Sequence, residues 1–202
     1  MFNFINTKKA LMLASALTVV GAGAAIAETV TGDASVTVQN SLTLTQDAAL
    51  SFGTLVAVAD DINANFATYV VGSDGTTTTP APSGGLFAQI IEITAGTPAS
   101  FTVSGAAPQT LLTVTLPAAA IIMNDGAGGA VDAKEFTVDS FEKTRTVSGG
   151  AGFTDTTNDS GVLSFDVGAT LATDKTLSNT ATAAVPYADA NYSGTYSITV
   201  TY

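Results

Sequence analysis

The run Gly194-Thr195-Tyr196-Ser197-Ile198-Thr199-Val200-Thr201-Tyr202, with which the sequence closes, decides the fold class. Tyr196, Ile198, Val200 and Tyr202 alternate with Thr195, Ser197, Thr199 and Thr201. Side chains on a strand repeat every two residues, so the run buries one face and wets the other. The same pattern opens the chain beyond its first residues, where Val30, Gly32, Ala34, Val36 and Val38 alternate with Thr31, Asp33, Ser35 and Thr37. Both ends therefore read as β-strands with one apolar stripe each.

Working inward, strand signals dominate. Period-two or short apolar runs lie at Val30–Gln39, Ser41–Thr45, Leu50–Val56, Phe66–Val71, Leu86–Thr94 and Ser100–Val103. They continue at Leu111–Leu116, Ala120–Met123, Lys134–Phe141, Val162–Val167, Ala169–Leu171 and Gly194–Tyr202. Thr, Val, Ile and aromatic residues fill most of them and suit a pleated, half-buried surface. Turn chemistry separates the runs: Gly72-Ser73-Asp74-Gly75, Asn124-Asp125-Gly126 and Ser148-Gly149-Gly150 supply the positive φ of tight turns. Helical signal is confined to a turn or two at Asp60–Thr68 and at Ala181–Ala190, the latter interrupted by Pro186. Many short strands with regular turn signals predict an all-β antiparallel sandwich. An outer-membrane barrel fits poorly, because aromatics are 7% of the chain, Trp is absent, and several runs are shorter than a membrane strand requires.

The first 27 residues read as a cleaved export signal. Lys8 and Lys9 precede the uncharged stretch from Ala10, and Ala25-Ile26-Ala27 fits the A-x-A cleavage rule with Ala25 and Ala27 as its small residues. The expected organisation is a signal over 1–27, an N-terminal extension over 28–39 and a β-domain over 40–202. Six basic residues face 17 acidic ones across the full chain, and loss of Lys8 and Lys9 leaves four. Such a surface disfavours nucleic acid and anionic lipid as partners. There is no Cys, His or Trp. Disulfides, the common transition-metal sites and the Ser-His and Cys-His nucleophiles are thereby excluded, so the expectation is a non-enzyme without a cofactor.

Within the domain, Leu50-Ser51-Phe52-Gly53-Thr54-Leu55 is the sharpest motif. A buried Phe followed by Gly lets the backbone turn, or approach a neighbouring strand closely. With Val30-Thr31-Gly32 before it and Gly194-Thr195-Tyr196 through Tyr202 after it, the chain resembles the bacterial secreted family labelled domain of unknown function 4402. More distantly it resembles archaic chaperone–usher pilins of the spore-coat-protein-U type. The resemblance implies an incomplete immunoglobulin-like sandwich, completed by donor-strand exchange. By that carry-over, Val30, Gly32, Ala34, Val36 and Val38 are the donor residues, with Gly32 at the small position. Ile198, Val200 and Tyr202 line the acceptor edge. The implied partners are other copies or related subunits, a periplasmic chaperone and an outer-membrane usher, and the implied destination is a surface fibre for adhesion or biofilm. The chain departs from the pilin pattern in lacking a disulfide and in ending on its closing aromatic. Alternation alone is equally compatible with Val30–Val38 pairing inside its own domain, as part of a self-complete secreted binding or matrix module.

The remaining chemistry is carboxylate. Asp60-Asp61, Asp155 with Asn158-Asp159, and Asp132 with Glu135 are expected to be solvated loop acids. They lack the spacing of a calcium loop. A glycosidase pair built from two of them is a third, lesser reading. Lys134, Lys143, Arg145 and Lys175 mostly flank Phe136–Phe141 and read as edge-strand guards.

Overall fold

The computed structural model describes residues 29–36, 41–80, 87–126, 134–146, 155–176 and 184–202. The chain divides into two compact units, residues 1–37 and residues 38–202. In the first, residues 29–36 carry no strand, and Val30 and Val36 are exposed. The predicted strand at Val30–Gln39 is therefore not formed over its described part; Val38, Ala25 and Ala27 lie outside the described residues.

The second unit is an antiparallel β-sandwich, with no helix among the described residues. Its strands are β1 (Thr43–Ala48), β2 (Thr54–Asp60), β3 (Thr68–Val71), β4 (Thr77–Thr78), β5 (Gln89–Thr94) and β6 (Ala99–Ser104). They continue as β7 (Thr113–Thr115), β8 (Ile121–Met123), β9 (Phe136–Arg145), β10 (Leu163–Ala172), β11 (Ala184–Pro186) and β12 (Thr199–Thr201). A seven-stranded sheet is organised around β10, a three-stranded sheet runs β11-β2-β5, and β12 pairs with β7.

Strand β10 explains how one sheet serves two cores. Along one edge it pairs first with β6 (Phe165↔Phe101) and then with β3 (Leu171↔Tyr69); along the other it pairs with β9. The handover falls at Gly168, where a Cβ would lie 2.2 Å from the Val71 carbonyl oxygen and 2.4 Å from the Ser73 nitrogen. The runs Val162–Val167 and Ala169–Leu171 thus form one strand, and the Gly between them is a point of close approach rather than a break. Leu163, Phe165 and Val167 face one core cluster, and Ala169 and Leu171 the other.

Strand β9 is matched to this by a β-bulge. Gly168 pairs with Glu142 and Thr170 with Asp139, so β9 holds one extra residue there, and Ser140 takes φ 52°. An extra residue reverses the inward parity. Phe136 and Val138 face in before the bulge, and Phe141 faces in after it, touching both clusters.

The Phe52-Gly53 motif behaves as its sequence predicts. Gly53 has φ 73°, and a Cβ there would lie 2.1 Å from the Thr94 carbonyl oxygen. Phe52 is buried with its ring edge-on to Tyr69, whose hydroxyl donates to Glu92 (2.7 Å) and accepts from the Gly96 amide (3.0 Å). At Ala181–Ala190 the expected helical turn is replaced, over Ala184–Pro186, by β11 paired with β2. Pro186 sits on an edge strand, the place in a sheet where a missing N–H does least harm.

Two expectations for charged residues are corrected. Asp60 and Asp61 are buried rather than solvated, and Lys134 is a buried ion-pair partner of Asp61 rather than an edge guard. Lys143 pairs with Asp155 and donates to the Val114 carbonyl oxygen. Asp60 holds the turn after β2: its Oδ1 accepts from the Ile62 and Asn63 amides (3.1 Å each), and its Oδ2 accepts from Asn65 Nδ2 at 2.8 Å.

Two tests follow from this geometry. Gly53→Ala is expected to destabilise the domain by at least about 1 kcal/mol, since Ala is strained at positive φ. An unchanged urea midpoint would contradict that. For Asp60, burial is the largest influence and pushes its carboxyl upward, but the hydrogen bonds from Asn65, Ile62 and Asn63 outweigh it and hold it below its ordinary 3.8. Its stabilising contribution is therefore present above that value and lost as pH falls through the lower folded value. Melting curves across acid pH should show Asp60→Asn less stable at neutrality and flatter on the acid limb.

Candidate assembly groove

The second core cluster is built by Ala99, Phe101 and Val103 of β6, by Leu163, Phe165 and Val167 of β10, and by Leu112 and Val114. At its centre the Phe101 and Phe165 rings stack 5.5 Å apart with 18° between their planes. Offset aromatic pairs of this kind add about 0.5–1.5 kcal/mol beyond the area they bury. Its flanks are not closed to the same degree. Leu42 and Leu50, at the two ends of β1, pack on one side and are only partly buried. Tyr196, Ile198 and Val200 of the C-terminal segment pack against the same cluster and are also partly buried.

Both flanking strands are sheet edges. Strand β1 pairs with β6, and β12 with β7; among the described residues neither has a second neighbour. Leu44, of the same parity as Leu42, is 36% exposed. The C-terminal segment begins its pairing at the Asn124↔Ser193 bridge and resumes it at Thr199↔Thr115, while residues 194–198 stay outside any ladder. A groove of about 470 Å³ opens at the start of that interval, lined by Ile121, Ile122, Asn124, Ser193, Gly194 and Thr195. A strand edge with an apolar inward row is a template for pairing with another strand.

Tyr196 is the polar member of the C-terminal row. Its ring lies 5.3 Å from that of Phe141, and its hydroxyl is buried without a hydrogen-bond partner among the described residues. Burial pushes the phenol above its ordinary range. A buried hydroxyl left unpaired is costly.

The sequence-derived acceptor edge divides. Ile198 and Val200 point to the core as expected, whereas Tyr202 is 51% exposed and lies beyond it. On the donor side, Val30, Gly32, Ala34 and Val36 are all exposed, and nothing lies within 4 Å of the Cβ position of Gly32. Sequence reasoning placed Tyr196 on the apolar stripe and Leu50 in the Phe52-Gly53 motif, but assigned neither of them, nor Leu42, to this cluster. The Leu42–Leu44 alternation was a usable signal, but only the pairing of β1 with β6 assigns it to the same cluster as the C-terminus. Among the described residues no group of three acidic side chains is arranged to hold a metal ion.

A family model described as Domain of unknown function (DUF4402) matches residues 42–202. The chain belongs to that family. The DUF4402 span begins at Leu42, just before β1, and contains both β1 and the C-terminal segment; the alternating run Val30–Val38 precedes it. No curated protein and no solved structure matches the chain.

Removing the orphan hydroxyl should cost the isolated DUF4402 domain nothing. Tyr196→Phe is expected to leave stability unchanged or raise it by about 1 kcal/mol, because an unsatisfied buried group disappears. A drop in the denaturation midpoint would mean that the hydroxyl already has a partner in the isolated chain.

Proposed function

We propose that this protein is a structural subunit of a bacterial surface fibre, assembled by donor-strand complementation and supporting adhesion or biofilm. The observation that carries the reading is the core cluster flanked by β1 and by the C-terminal segment, each with an unpaired edge and a partly buried apolar row. The exposed, unpaired run around Val30–Val36 supplies a strand of matching alternation. In the fibre, Val30–Val38 of one copy would lie in the groove of the next, hydrogen-bonding along the edges. Its alternate side chains would pack against the partly exposed rim of the cluster, at Leu42, Leu44, Ile198 and Val200.

The magnitudes suffice for a tight contact. Each net backbone hydrogen bond contributes about 0.5–1.5 kcal/mol. Each buried Val contributes about 1.5–3 kcal/mol. The cost of ordering the extension and of association opposes this, and several of each term together exceed it. The reading carries with it removal of the leader, passage through the periplasm, and an escorting chaperone and usher that keep the groove filled until assembly. It involves no turnover and no cofactor.

The test compares the chain beginning at Glu28 with the double variant Val36→Asp, Val38→Asp on unboiled gels and by negative-stain microscopy. Heat-labile ladders or filaments in the parent, lost in a variant that remains folded, are expected. A monomeric parent whose variant unfolds would instead assign Val30–Val38 to its own domain and make the protein a self-complete secreted module.

A further inference from the structure

We propose that Lys134 and Asp61 condense to an intramolecular isopeptide bond. Their side chains are 5% and 1% exposed, and Lys134 Nζ lies 2.6 Å from Asp61 Oδ1. A second carboxylate, that of Asp174, has Oδ2 3.9 Å from the same nitrogen and is 14% exposed. The three residues come from three places: Asp61 follows β2, Lys134 precedes β9, and Asp174 lies just beyond β10. A nucleophile, an electrophile and a proton carrier are thus gathered in one protected site.

The surroundings hold this arrangement in register. Tyr187 stacks on Phe136 with 4.1 Å between ring centroids. Its hydroxyl donates to the Glu135 carbonyl oxygen (2.9 Å) and accepts from the Asp174 amide (2.6 Å), tying the backbone beside Lys134 to that of Asp174. The neighbouring Asp60 is engaged by Asn63 and Asn65 and by two backbone amides, so it does not compete for the ammonium. Lys175 is directed elsewhere, over the ring of Phe66.

The step balances without any co-reactant. A buried ammonium and carboxylate are individually costly, and moving a proton between them leaves a neutral amine and a neutral acid. The Nζ lone pair attacks Cγ of Asp61, and the C–N bond forms as one C–O bond breaks. Of the three ammonium protons one stays on the amide nitrogen, and two leave with the departing oxygen as a single water. Asp174 accepts a proton from Nζ, returns it to the leaving oxygen, and ends as it began. Nothing is oxidised or reduced. The product ties the end of β2, in the three-stranded sheet, to the start of β9, in the seven-stranded one, in a chain without cysteine. It is independent of the fibre reading.

The deciding measurement is the mass of the folded, purified full-length product, followed by proteolytic mapping under denaturing conditions. The expected result is a chain lighter than its sequence by one water, with a branched peptide joining the Lys134 and Asp61 segments. Asp174→Asn, which keeps both reacting groups, is expected to remain at full mass, as is Lys134→Met. Recovery of separate, unmodified Lys134 and Asp61 peptides from the folded wild-type chain at full mass would overturn the proposal. That readout needs no variant to fold.

Discussion

The structure depends on an unmet demand of β-sheet backbone. A strand at a sheet edge presents a row of amides and carbonyls with no partner, and β1 and the C-terminal segment do so on either flank of one apolar cluster. Had one of them been covered, the groove would be an ordinary solvent edge. In the proposed fibre, a strand added at these edges would pair their backbone and further bury Leu42, Leu50, Ile198 and Val200, which are partly buried in the chain alone.

The rest of the sandwich fixes where this demand is placed. Strand β10 runs through both clusters, and Gly168 lets it exchange β6 for β3 as its neighbour without losing its inward row. The bulge at Ser140 then turns Phe141 inward, where its ring meets Tyr196. Around the first cluster, Phe52, Tyr69, Phe136 and Tyr187 pack together, with the buried charges beyond them. Both clusters have buried centres and a rim of partly buried apolar side chains, and Leu50 and Phe141 belong to both rims.

The fold class was legible in the sequence because alternation and turn chemistry are local. Gly194–Tyr202 displayed Tyr196, Ile198 and Val200 as inward, whereas Tyr202 is exposed and only Thr199–Thr201 pairs as a strand; Phe52-Gly53 announced the close approach to Thr94. What stayed hidden depends on contacts far apart in the chain. The helical reading of Ala181–Ala190 failed because pairing with β2 overrode local propensity. The solvated reading of Asp61 and the edge-guard reading of Lys134 failed because each residue looks like surface until the fold brings the two together. That Leu42, Leu50 and Tyr196 share one cluster stayed hidden for the same reason: membership of a cluster is a property of the sheet order.

The central claim is that the groove accepts a strand. Backbone hydrogen exchange of the isolated monomer, with and without excess synthetic peptide of the sequence of residues 28–39, tests it most directly. The account predicts that the peptide slows exchange along residues 194–198 and the free edge of β1, while amides of β2 and β3 are unaffected. Unchanged exchange at both edges, under saturating peptide, would contradict it.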